Sequence, residues 1–157
     1  HLQHIKKANE SIKLADHILT QTYPIVKDPK ILIGVLENLY KGMISTISAL
    51  LRYERARKNI PPFSDNDDSK INMFKLKIMD IHTIDKYYIK MLEDIRAILA
   101  SHKKSPVEFA RKDKFVICSE TYKLKTITVE QMKSFIKHAN SFLSETKKII
   151  EEQDKND

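Results

Sequence analysis

Arg96 and His102 are the two side chains in this sequence whose types and spacing are most suggestive of chemistry. Five residues separate them, and Lys103 and Lys104 follow directly. An imidazole can exchange protons near neutral pH, while a guanidinium stays charged. On a continuous helix the six steps between them open an angle of about 120°. Convergence on one substrate therefore requires the helix to end before His102, or a second subunit to complete the site. In a purely structural role, His102 continues the apolar stripe after Ile95 and Leu99 and caps the core.

The positive charge is unevenly spread. Lys103, Lys104, Arg111, Lys112, Lys114, Lys123 and Lys125 face only Glu108, Asp113 and Glu120 in the same stretch, which thus holds more than half of the chain's net charge of +7. These seven cations are the candidate anion-binding set, and they lie on a connecting segment, where function tends to concentrate. Strand alternation places Lys123 and Lys125 on one face of a hairpin, with Tyr122 and Leu124 on the other. In an up-down bundle the segment shares a pole with the starts of the second and last helices, whose free N–H groups favour anions. A second group, Arg52, Arg55, Arg57 and Lys58, ends the second helix, where cations complement the dipole; Asp65, Asp67 and Asp68 are expected to balance it.

Other chemistries lack their residues. No glycine-rich phosphate loop occurs, and the acidic run around Asp65 lacks the glycine and closing glutamate of a calcium loop. No histidine pair has zinc-hydrolase spacing, and His17 and His138 read as surface or boundary residues. Neither a metal nor a cofactor is expected. The single cysteine, Cys118, reads as a packing residue and cannot form an internal disulfide, which favours a reducing cytoplasm. No apolar run approaches the roughly 20 residues of a membrane span, so no membrane partner is expected. His1 in place of an initiating Met reads as a processed boundary and is given no role.

The elements that must hold these residues are mostly helices. Glycine occurs only at Gly34 and Gly42, and the five prolines cluster between long periodic stretches. Ile5, Ala8, Ile12, Ala15 and Leu19 mark a helix over residues 3–22. Asp28 and Pro29 open a second, whose core stripe is Leu32, Leu36, Leu39, Met43, Ile47 and Leu50. Asn38, Gly42, Ser45 and Ala49 form a stripe of small residues on it, suited to close packing within the bundle or to a homodimer seam. A third helical region runs to His102 and is expected to break near Thr83, where Asp85 interrupts the apolar series. Ser105, Pro106 and Glu108 look like a capped helical turn. Residues 115–118 and 122–126 then predict a small hairpin. Thr128, with Gln131 three residues on, caps the last helix, which ends in a charged tail at 151–157. The fold class predicted is mainly α, an antiparallel four- to five-helix bundle in one domain, 1–157, with a β-hairpin inserted at about 114–126 before the last helix.

The Arg96–His102 spacing, the pattern from Ala8 to Leu19, and the run ending Ser48, Ala49, Leu50 and Leu51 resemble HEPN domains. These are helical bundles that in several lineages act as metal-independent ribonucleases through an arginine and a nearby histidine. The chain departs from the active pattern at Ala97, where those versions commonly carry a polar residue. The resemblance implies that His102 assists proton transfer during attack by an RNA 2′-hydroxyl and that Arg96 stabilises the phosphate. The sequence thus predicts a basic helical module that binds RNA or another polyanion through the pole carrying the hairpin. A protein-interaction or homo-oligomerisation scaffold is the alternative, and a ribonuclease is a third reading. Whether the chain is an enzyme stays open at this point.

Overall fold

The computed structural model describes residues 1–105, 107–111, 114–118 and 123–157. Five main helices are named here α1 (Leu2–His17), α2 (Leu32–Ala56), α3 (Asp67–Met73), α4 (Lys86–Lys104) and α5 (Val129–Lys155). Between α4 and α5 lie three strands, β1 (Val107–Arg111), β2 (Lys114–Cys118) and β3 (Leu124–Thr128). The mainly α bundle with a small antiparallel insertion before the last helix is thus the fold.

Helix α2 is central and packs against α1, α4 and α5. Its six stripe residues, Leu32, Leu36, Leu39, Met43, Ile47 and Leu50, are all fully buried. Each such side chain stabilises the fold by about 1.5–3 kcal/mol. Gly42 lets α1 come close: a Cβ there would sit 2.7 Å from Ile12 Cγ1 and 3.4 Å from the Ala8 carbonyl oxygen. The small-residue stripe therefore serves packing inside the chain at this point, and Gly42 is covered by α1 rather than open to a second copy. Phe142 on α5 stacks on Tyr88 at 4.8 Å and meets Phe74 edge-on at 5.8 Å, which ties α5 to α4 and to the helical turn after α3.

Local chemistry sets the boundaries. Asp28 accepts the Lys30 N–H and starts a 3₁₀ turn, Pro29–Ile31, that leads into α2. Helix α1 does not end at Thr22. It widens into a π turn, Ile18–Thr22, that accommodates Pro24, which has no N–H to donate, and continues through Tyr23–Val26 to Lys27, whose left-handed backbone stops it. The third helical region does break beside Thr83. Asp85, rather than being buried, caps α4 by accepting the Tyr87 N–H. Thr128 caps α5 through the Gln131 N–H.

Two expectations are corrected at the insertion. Val107–Arg111 is a strand, not a helical turn, because its backbone pairs along β2 from Val107 opposite Cys118 to Arg111 opposite Lys114. The hairpin is thus part of a three-stranded antiparallel sheet of order β1-β2-β3. The last strand occupies Leu124–Thr128, later than the predicted 122–126. Tyr122 and the expected turn at Ser119, Glu120 and Thr121 lie outside the described residues, as does Pro106. Phe115, Ile117 and Ile127 join the bundle core from one face of the sheet, and Leu124 is 63% exposed on the other.

Candidate functional site

Arg96, Leu99, Ala100, His102 and Lys103 on α4 face Glu37, Tyr40 and Lys41 on α2 across an open groove of about 500 Å³, with Asp67 at its edge. Helix α4 reaches His102 as expected and runs on through Lys104, so the pair does not converge by a helix end between its members. Both residues nevertheless border the same groove, because its α4 wall spans Leu99, which lies between them around the helix.

Their polar partners differ. Arg96 Nη1 donates to Asp68 Oδ1 at 2.6 Å, and this carboxylate holds the guanidinium pKa above its ordinary value. Beside it the Tyr40 hydroxyl donates to Asp67 Oδ2 at 2.6 Å. Burial, and then the Asp67 carboxylate, push the Tyr40 pKa well above the usual phenol value. At the other end His102 Nδ1 lies 2.7 Å from Glu108 Oε1 on β1, and its ring meets Phe115 of β2 at 6.3 Å. A carboxylate only accepts, so Nδ1 carries the proton in this contact and Nε2 is left as the nitrogen that can exchange one.

The basic segment does not form a single face. Ser105 Oγ donates to the Cys118 carbonyl at 2.8 Å, which fixes the end of α4 to the end of β2 that pairs with Leu124. Lys103 lines the groove, and Lys104 and Lys123 are exposed. Lys125 is half-buried and stands opposite Ile117, which is itself opposite Glu108, so these three form one row on the core side of the sheet. Lys114 begins β2 at the opposite end, about 13 Å away at a strand's rise per residue. There it borders a wider depression of about 990 Å³ with Lys27, Lys133 and Thr128. Lys112 and the Arg111 side chain lie outside what the structure describes.

The second basic group is balanced only in part as expected. Arg52 pairs with Asp65 at 3.0 Å, which also takes Lys70 at 3.1 Å. Arg57 pairs with Asp157, while Asp67 and Asp68 go to the groove. Tyr40 and Lys41 were missed by sequence reasoning and the two aspartates were assigned to the wrong cations, since they join Arg96 only through the packing of α2 and α3 on α4. Glu108 was read as a capping residue, and it turns out to be the partner of His102.

Cys118 is buried on the central strand, which fits its packing role. His17 is exposed and His138 half-buried, as surface and boundary residues. Among the described residues no group of three or more His, Cys, Asp or Glu could hold a metal, and no helix is long and apolar enough to cross a membrane. No protein-family model matches this chain, and no curated protein or solved structure matches it either.

Proposed function

We propose that this protein binds RNA along the groove between α2 and α4, with the phosphate chain continuing over Lys103 and Lys104 toward the end of the sheet that carries Lys123. The observation behind this reading is that Lys41, Arg96, His102 and Lys103 line one open groove. Two donors suited to phosphate oxygens, a guanidinium and a phenol, stand side by side within it.

Fluorescence anisotropy with a labelled single-stranded oligouridylate tests the reading. Affinity should fall as salt rises, with a log–log slope of about −0.7 per phosphate contacted. Arg96→Ala and Lys103→Ala should each weaken it. Salt-insensitive binding, or none at low salt, refutes the proposal.

The Glu108–His102 contact favours a second reading, metal-independent RNA cleavage. A carboxylate that fixes the imidazole tautomer is the support a general base needs. In that reaction His102 Nε2 takes the 2′-hydroxyl proton, the freed oxygen attacks phosphorus, and the 5′-oxygen leaves and is protonated, giving a cyclic phosphate. Arg96 would stabilise the charged phosphorane. Cleavage that resists EDTA, leaves cyclic phosphate ends and disappears in a folded His102→Ala variant supports this reading. Intact RNA after prolonged incubation removes it and leaves binding alone.

A further inference from the structure

We infer that Tyr40 and Arg96 form a two-donor cradle for one RNA phosphate, and that the turn bearing Asp67 and Asp68 fills this cradle in the free protein as a built-in competitor. The inference rests on the RNA-binding reading and adds to it a binding residue, Tyr40, and a means of regulation.

The geometry has three parts. The donors belong to two long helices: Tyr40 sits in the third turn of α2 and Arg96 on α4, so the bundle core fixes their backbones. The acceptors are consecutive residues at the start of the seven-residue α3, capped by Asn66. Asp67 Oδ2 and Asp68 Oδ1 each lie 2.6 Å from their donors, the distance at which charged oxygens of any kind, carboxylate or phosphate, would be held. Finally, the Arg96–Asp68 pair is open to solvent, with the two side chains 43% and 73% exposed, so a dissolved anion can reach the guanidinium without opening the core.

Glu37 supplies an internal control. It lines the same groove but, among the described residues, makes no hydrogen bond or ion pair with either donor. If Asp68 merely adds negative charge near a polyanion site, Glu37 should oppose RNA as strongly. If Asp68 occupies a donor that phosphate needs, it should oppose RNA more.

The test measures binding of the labelled oligouridylate to the full chain and its variants by anisotropy at fixed salt. Asp68→Asn should bind about two- to fivefold tighter than the wild type, the range set by loss of one exposed ion pair. Glu37→Gln should change affinity by less than about twofold, since it removes an equal charge but frees no donor. In an Asp67→Ala background, which removes the acceptor, Tyr40→Phe should weaken binding, because the freed hydroxyl is then a ligand donor. A thermal melt matching the wild type qualifies each variant, and Asp68→Ser, which also suits a helix's first turn, replaces Asp68→Asn if that variant misfolds. Equal gains from Asp68→Asn and Glu37→Gln, no gain from Asp68→Asn, or no effect of Tyr40→Phe overturns the competitor while RNA binding stands. Absence of RNA binding by the wild type and every variant overturns both.

Discussion

Helix α2 carries two tyrosines that bond to aspartates, and each stands near an arginine bonded to another aspartate, yet the two ends of the molecule use this set differently. At the far end the Tyr53 hydroxyl donates to Asp154 Oδ1 at 2.6 Å, and Arg57 pairs with Asp157 while lying 5.4 Å over the Tyr53 ring. Behind them Glu54 is fully buried, held by His82 at 3.0 Å and Asn59 at 2.6 Å. Those contacts tie α2 to the last turns of α5 and to the linker before α4. At the groove, Tyr40 and Arg96 bond to Asp67 and Asp68 with an open groove in front of them. The same pairing chemistry is thus a lock where a buried network backs it, and a candidate ligand site where solvent does. The depth behind the pair separates the two roles, not the residue types.

His82→Ala breaks the lock most directly. The substitution leaves the Glu54 carboxylate buried with Asn59 alone, and such an orphaned charge costs about 3 kcal/mol or more. The urea midpoint should fall accordingly, while the folded variant binds RNA as the wild type does. A stability change below about 0.5 kcal/mol would show that the network is not what distinguishes this end.

A smaller effect should separate the arginines. Arg96→Ala is expected to weaken RNA binding about five- to tenfold at moderate salt, and Arg57→Ala by less than about twofold. Equal losses would mean that RNA senses overall charge, and the contrast between the two ends would fail as a guide to function.

Hydroxyl removal divides the tyrosines more finely. Tyr53→Phe leaves Asp154 without its donor and should cost about 1 kcal/mol in the urea midpoint. Tyr40→Phe should cost less, because Asp67 can turn to water. Comparable losses at both positions would place Tyr40 in the architecture rather than in the site.

Much of this molecule was legible in its sequence where one element's own pattern decides the outcome. The α2 stripe was read correctly because burial on one face leaves a period of three to four, and the capping role of Thr128 followed from a side-chain acceptor with Gln131 three residues on. The strand at Val107–Arg111 was not legible. Ser105 and Pro106 imitate a helix start, and only pairing with β2 makes the following residues extended. Arg96 and His102 stood out because both lie on one helix at short spacing. Tyr40 and Asp67 lie 27 residues apart and meet only after α2 and α3 pack, so neither stretch carries a sign of the other. Glu108 was seen and misassigned for the same reason: its partner was decided by the fold of β1 back toward α4.

The smallest effect expected is an alkaline one, and it probes the lock from the proton side. Burial, then the bond to Asp154, raises the Tyr53 pKa from an ordinary 10.0 to about 12; burial and Glu145 do the same for Tyr88. A raised pKa means that the folded protein holds the phenol proton more tightly than the unfolded chain. The corresponding stabilisation is complete below pH 10 and is lost as pH rises from 10 through 12. Stability followed by urea midpoints should therefore bend downward across that window, and Tyr53→Phe should flatten part of the bend. Asp154→Asn removes an acceptor charge that disfavours the phenolate, so tyrosinate absorbance should show Tyr53 ionising earlier, while Tyr88, still bonded to Glu145 at 2.8 Å, keeps its late ionisation. Unchanged titration in that variant would trace the Tyr53 shift to burial of the ring alone and leave the hydroxyl bond without weight in the lock.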